Sequence, residues 1–322
     1  MFHEVYSALL AFITVIIIGP TSIKILKALK FRQSIRKDGP TTHLKKAGTP
    51  TMGGIMILIG ASLATFFLAP KTLNISWALF ITLGFGAIGL TDDFIIAVFR
   101  RSLGLKARYK LAFQILLSIL LGLYAATSPS LGTIVSIPFS SVEIDLGIFG
   151  YLVFAVFIML AISNAVNLSD GLDGLASGTT ALAYVAYSIV AIFFGKHDLA
   201  VFSSSFAGAC IGFSWFNCHP AEIMMGDTGS LALGAALGSL AILTKTELLL
   251  IIIGGVFVLE ALSVIIQVIY FKLTGGKRIF RMSPVHHHFE LSGWKEPKIV
   301  TRFWILGLVF SILGLLALLK FQ

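Results

Sequence analysis

Apolar stretches of membrane-crossing length alternate with short polar connections along nearly the whole chain. Ten runs are read, at residues 4–28, 52–69, 75–93, 110–127, 147–166, 174–194, 199–216, 228–243, 247–271 and 300–319. Most approach the roughly 20 residues that carry a helix across a hydrocarbon core. The pattern predicts an all-α polytopic membrane protein of about ten transmembrane helices, a single integral domain over residues 1–322. No connection is long enough for a separate soluble domain. The first run exceeds signal-peptide length and lacks a basic leading segment, so it predicts a retained helix. Residues 131–146 alternate around Pro138 and predict a short β-hairpin. In the ninth run, Gly254-Gly255 marks a candidate break, and Glu260 and Gln267 are polar residues in lipid with either a structural or a gating role.

Composition agrees. The chain is 57% hydrophobic and 12% charged with mean hydropathy +0.95, against roughly a quarter charged in a soluble domain. The net charge of +9 sits on dispersed loop residues without a nucleic-acid motif, so no nucleic-acid partner is expected. Lysine and arginine are partitioned instead. Odd-numbered loops carry Lys30 to Lys46, Arg100 to Lys110 and Lys272 to Lys298, whereas the even loops carry Lys71, Lys196 and Lys245. The positive-inside rule puts the odd loops in the cytoplasm, with both termini and the hairpin outside. Cys210 and Cys218 match neither a disulfide framework nor a thiolate metal site.

That orientation brings Asp92, Asp93, Asp170, Asp173, Asp227 and the run His286, His287, His288 to one face. Asp92 and Asp93 end the third run, where the helix dipole disfavours anions, so they are candidates for a base or a cation site. In "NLSDGLDGLASG" an N-cap accounts for Ser169 or Asp170 but not for Asp173, and the spacing is not a calcium loop. Asp227 lies in "MGDTGSLALG", ahead of a small-residue helix whose amino end offers amides to phosphate oxygens. An N-cap role for Asp227 and a packing role for Gly234 and Gly238 compete with that reading. Three neighbouring histidines cannot ligate one metal from a regular helix, because successive side chains point about 100° apart; imidazoles facing phosphates fit better. "KKAGTPTMGG" lacks the lysine and hydroxyl of a P-loop, leaving Lys46 as a candidate anion contact. Magnesium uses one or two carboxylates and lets phosphates and water complete its shell, so the set suggests a magnesium-diphosphate substrate beside a lipid.

"GTPTMGG", "TDDF", "NAVNLSDGLDGLASG", "MGDTGSLALG" and "PVHHHFELSGW" together resemble the bacterial phospho-N-acetylmuramoyl-pentapeptide transferases (translocase I), within the polyprenyl-phosphate N-acetylhexosamine-1-phosphate transferase superfamily. The resemblance covers essentially the whole chain. It implies transfer of phospho-N-acetylmuramoyl-pentapeptide from UDP to undecaprenyl phosphate, giving lipid I and UMP in peptidoglycan synthesis. It further implies Mg²⁺, a homodimer, and an active site on the cytoplasmic face of the bacterial plasma membrane. On this resemblance Asp227 is the metal ligand, and Asp92 and Asp93 bind or deprotonate the lipid phosphate. Asn164, Asn167, Asp170, Gly171, Leu172 and Asp173 line the nucleotide pocket, with Asn217 close by. His286, a candidate catalytic residue, and His287 reach the diphosphate region, with His288 beside them, and Lys46 is a candidate for its anionic end.

Two positions depart from relatives. Ile96 stands where a lysine is frequent, so Lys106, Arg108 or Lys110 takes over that charge. Met224 stands where some relatives stack a phenylalanine on uracil, predicting a softer thioether contact. In-line attack by the lipid phosphate competes with a covalent phospho-sugar on Asp227; a carboxylate engaged by magnesium is a poor nucleophile, which favours the single step. The alternatives are a sibling transferase for another UDP-N-acetylhexosamine, and a secondary transporter. The transporter is disfavoured because the polar motifs sit at one edge and the halves show no repeat.

Overall fold

A computed structural model describes residues 2–29, 31, 48–99 and 104–320. Helices α1 (Phe2–Ala28), α2 (Gly54–Leu68), α3 (Leu73–Phe99) and α4 (Ala107–Thr127) precede a hairpin, β1 (Ile134–Ser136) and β2 (Glu143–Asp145). Then follow α5 (Gly147–Ser169), α6 (Leu175–Phe193), α7 (His197–Asn217), α8 (Gly226–Thr244), α9 (Glu247–Ile253), α10 (Gly255–Leu273), α11 (Val285–Leu291) and α12 (Glu296–Ala317). The hairpin is antiparallel, pairing Ile134 with Asp145 and Ser136 with Glu143.

Nine of the described helices are long and apolar enough to cross a membrane. One of the ten predicted runs is shorter than expected, and another carries the break that its glycines predict. The second is a helix of 15 residues, about 22 Å long at 1.5 Å per residue and short of a ~30 Å hydrocarbon core. The ninth divides into α9 and α10 around Gly254, where the sequence carries its two adjacent glycines.

α8 is the central helix: 89% of its most apolar window is buried, against 28% for α1 and α10. It packs against both α3 and α5, while α1 lies against α2 and α7. Small residues permit that closeness. A Cβ at Gly89 on α3 would collide with the Asp227 carbonyl, and one at Gly234 would lie 2.5 Å from the Ser163 backbone. Gly234 and Gly238 are therefore packing positions. α10, by contrast, buries a narrow stripe of Gly255, Val256, Phe257, Glu260, Ser263 and Gln267 and exposes apolar residues elsewhere.

Candidate active site

The amino end of α8 is closed from another helix. Gly226 turns the chain with φ +75°, a conformation that favours glycine. The first amides of α8 have no carbonyl partner within the helix. Asp93 on α3 supplies one: its Oδ1 accepts the Asp227 N–H at 3.1 Å, and its Oδ2 accepts the Thr228 N–H at 2.9 Å and the Thr228 hydroxyl at 2.7 Å. Asp227 is thus relieved of the capping role that its position suggested, and its carboxylate is free to point elsewhere.

It points into a polar cluster. Asp227 Oδ1 accepts a hydrogen bond from Asn167 Nδ2 at 2.8 Å, and Oδ2 pairs with Lys110 of α4. The second Asn167 amide hydrogen goes to Ser230 Oγ, also at 2.8 Å, so the Asn167 side chain is fixed against α8. Asp92 approaches from α3. Its Oδ1 accepts the Leu105 N–H at 2.7 Å, and its Oδ2 lies 4.0 Å from Lys110 Nζ. One helical turn back along α5, Asn164 donates to the buried Gln114 side chain at 3.2 Å. Asp92, Asp227, Asn167 and Lys110 therefore meet around one point, fed by α3, α4, α5 and α8.

The "SDGLDG" loop continues from Asn167. Asp170 ends α5 and is half-buried, its N–H donating to the Asn167 carbonyl at 3.2 Å. Asp173 lies six residues beyond Asn167, at most about 20 Å away even if extended. Its Oδ2 accepts from His219 Nδ1 at 2.9 Å and from the Ala221 N–H at 3.2 Å, and its own N–H donates to Glu296 Oε1 at 2.7 Å. Asp173, His219 and Glu296 form a compact carboxylate–imidazole group of metal-binding spacing, which these mutual hydrogen bonds account for. Asn217 is buried, accepting the Gly174 N–H at 3.0 Å and donating to the Ile223 carbonyl at 2.8 Å, so it ties this loop to the segment before α8. Leu172 packs with Leu175, Val256 and Phe303. The Met224 side chain is buried, and its backbone pairs with Pro50 and Gly53.

The three histidines lie on α11 and face three partners, as their angular spacing requires. His286 is fully buried, its Nδ1 lying 3.0 Å from Oε2 of the equally buried Glu260 on α10. On its other side, a Cβ at Gly171 would run into His286 Nε2. His286 thus wedges α10 against the "SDGLDG" loop and is closed off from solvent. His287 Nδ1 lies 3.2 Å from Glu290, and His288 Nδ1 accepts the Arg281 N–H at 3.1 Å. Gln267, the other intramembrane polar residue, accepts the Ile279 and Phe280 N–H groups at 3.1 and 2.9 Å. Lys46 lies outside the described residues.

The Asp92–Asp227 pair fits a hard divalent cation. Both are oxygen donors on helices, and the Lys110 ammonium already occupies the place between them that a cation would take.

Known sequences agree with the motif set. The glycosyl transferase family 4 pattern matches residues 75–245, and phospho-N-acetylmuramoyl-pentapeptide-transferase signature 1 matches residues 46–58. A phospho-N-acetylmuramoyl-pentapeptide-transferase of Anoxybacillus flavithermus is 51% identical over 314 residues, covering 96% of each chain. Another from Geobacillus is 50% identical over 315 residues, 97% of this chain and 96% of the relative, and one from Desulfitobacterium hafniense is 51% identical over 324 residues, 97% and 96%.

The chain belongs to the phospho-N-acetylmuramoyl-pentapeptide-transferase family.

In this family member the site contains residues that sequence reasoning did not single out. Thr228, Gln114, His219 and Glu296 all take part in the polar framework. Gln114 left a signal as an amide inside an apolar run, and Glu296 as an acid beside a helix-starting proline. His219 left none, because its partner is 46 residues away.

Proposed function

We propose that this multi-pass membrane protein transfers phospho-N-acetylmuramoyl-pentapeptide from its UDP-linked form to undecaprenyl phosphate, releasing UMP and forming lipid I for peptidoglycan. The reaction takes place at the cytoplasmic face of the bacterial plasma membrane, and the enzyme works as a homodimer. One observation carries the reading: Asp93 caps α8, and this leaves Asp227 facing Asp92 across a cation position.

Asp227 and Asp92 would hold magnesium, which, when bound, neutralises the diphosphate oxygens and the charge that develops on the leaving phosphate. Asn167 orients the Asp227 carboxylate. The lipid phosphate, a phosphomonoester whose second pKa is about 6, arrives as the dianion, so the Asp92 oxygen that faces the cation position is not required to accept a proton as well. An oxygen of that phosphate forms a bond to the sugar-bearing phosphorus, and the bond from this phosphorus to the bridging oxygen breaks. UMP departs with the electron pair. Asp227 Oδ1 is held by Asn167 and Oδ2 faces the cation position, which favours the direct step over a covalent Asp227 adduct. Lys110 takes the role left by Ile96, moving from the carboxylates to the incoming phosphate. Asp170, Asp173, His287 and His288 lie on the segments that would receive the nucleotide. The apolar groove between α5 and α10, lined by Ile158, Ile162, Leu262 and Ile265, gives the prenyl chain a track.

Membranes supplied with polyprenyl phosphate and Mg²⁺ test the donor. UMP release from UDP-N-acetylmuramoyl-pentapeptide supports the proposal. Release from UDP-N-acetylglucosamine instead identifies a sibling hexosamine transferase, and substrate flux into proteoliposomes without UMP identifies a transporter. Sedimentation of the purified protein in detergent tests the dimer.

A further inference from the structure

A cleft of about 360 Å³ opens at the end of α10, beside Phe271, Lys272, Arg278, Met282 and Ser283. Its walls are built by specific contacts. Gly275 and Gly276, with φ +63° and +111°, turn the chain after α10. The Gly276 N–H returns to the Phe271 carbonyl at 2.9 Å, and the buried Gln267 side chain holds Ile279 and Phe280 from below. The loop is thereby folded back along its own helix. This places Arg278 opposite Lys272, with Lys277 and Arg281 close in sequence.

The charge in the cleft is uncompensated. Among the described residues, no carboxylate lies within 4 Å of Lys272, Lys277, Arg278 or Arg281, whereas Lys110 and Lys245 each have one. Below the cations the surface changes character. Val264, Val268 and Phe271 follow one another at spacings of four and three, which align side chains along one helix face; Val268 is 45% and Phe271 43% exposed. A basic cleft at the end of a membrane helix, continued by an apolar stripe, has the two-part chemistry of a phospholipid: an anionic head at the interface and acyl chains beneath it. A soluble anion would use the cations and leave the stripe bare.

We propose that this cleft binds the phosphate headgroup of an anionic membrane phospholipid, with the acyl chains along Val264, Val268 and Phe271. The site is separate from the groove assigned to the prenyl acceptor, since the two share no lining residue. The inference does not depend on the identity of the transferred sugar. It requires only that α10 stands in a bilayer. Lys272 and Arg278 bind the headgroup, and neither belongs to the reaction site.

The test uses the full chain, delipidated in detergent and titrated with phosphatidylglycerol or phosphatidylcholine, with bound lipid read by native mass spectrometry. The wild type is expected to prefer phosphatidylglycerol, and the preference should weaken as salt is raised. The double variant Lys272→Gln, Arg278→Gln should lose about 30-fold in phosphatidylglycerol affinity, from the usual contribution of each cation near an anionic surface. Its phosphatidylcholine binding and its UMP release in the absence of phosphatidylglycerol should stay unchanged. The charge-keeping pair Lys272→Arg, Arg278→Lys should restore binding, which separates lost charge from lost fold. Equal binding of the two lipids, or undiminished phosphatidylglycerol binding by the Gln variant, would overturn the proposal. So would displacement of the lipid by millimolar inorganic phosphate, which would mark a free-anion site, or by undecaprenyl phosphate at equal concentration, which would mark the acceptor's own site.

Discussion

The Asp93 carboxylate on α3 accepts the Thr228 amide of α8 at 2.9 Å, joining two helices whose residues are 135 positions apart. The adjacent Asp92 turns instead toward Leu105 and Lys110. Two neighbouring acids of the same type therefore do different work: one holds the amino end of α8 in place, and the other faces the Lys110 ammonium.

The two roles separate on substitution. Asp93→Ala strands the buried Thr228 amide and hydroxyl and the half-buried Asp227 amide, each buried unsatisfied group costing about 1–3 kcal/mol. It should lower the unfolding temperature and abolish UMP release together. Asp92→Asn keeps shape and an acceptor for Leu105, so it should lose turnover while unfolding at the wild-type temperature. Thermal unfolding in detergent, run beside the UMP assay, distinguishes them.

Asn167 donates a hydrogen bond to the Asp227 carboxylate and to Ser230. Asn167→Ala should raise the Mg²⁺ concentration needed for half-maximal UMP release by roughly 10–100-fold, as expected for a group that orients a metal ligand. An unchanged Mg²⁺ titration would assign Asn167 to packing alone.

Lys110 keeps Asp92 and Asp227 from facing each other as bare anions. Metal-free Lys110→Met should unfold at a lower temperature than the metal-free wild type. Added Mg²⁺ should raise the unfolding temperature of the variant more than that of the wild type, because the ion takes over the missing charge. Equal shifts would show that the carboxylates do not share a cation position.

Glu260 and His286 form a fully buried pair. Removing one partner, as in Glu260→Ala, should cost about 3–5 kcal/mol, since the other is left without compensation. The double change Glu260→Leu, His286→Leu should recover much of the stability. It should not recover activity, because the wedge between α10 and Gly171 is gone. Chemical or thermal denaturation of the three proteins reads the coupling.

The architecture was legible where hydrophobicity alone decides it. The apolar runs mark the helices, alternation around Pro138 marks the hairpin, and the adjacent glycines mark the division at Gly254. The meeting of Asp92 and Asp227 was legible from loop parity, and the part of Asn167 only from the family resemblance. Their individual roles were not. Which face of α3 carries Asp92 and which Asp93 depends on helix rotation against α8, and that is set by Gly89 and Gly226 in close contact rather than by a local pattern. The burial of His286 against Glu260 was not legible, because a partner on α10 cannot be seen from the histidine's own neighbours, and neither was the length of α2, because composition does not reveal where a short helix stops.

UMP release by the wild type and by Asp227→Asn, with UDP-N-acetylmuramoyl-pentapeptide, undecaprenyl phosphate and varied Mg²⁺, tests the central claim most directly. The account predicts Mg²⁺-dependent release by the wild type, and none above background from the variant at any Mg²⁺ concentration even though it is folded. Release by Asp227→Asn at the wild-type rate would contradict it.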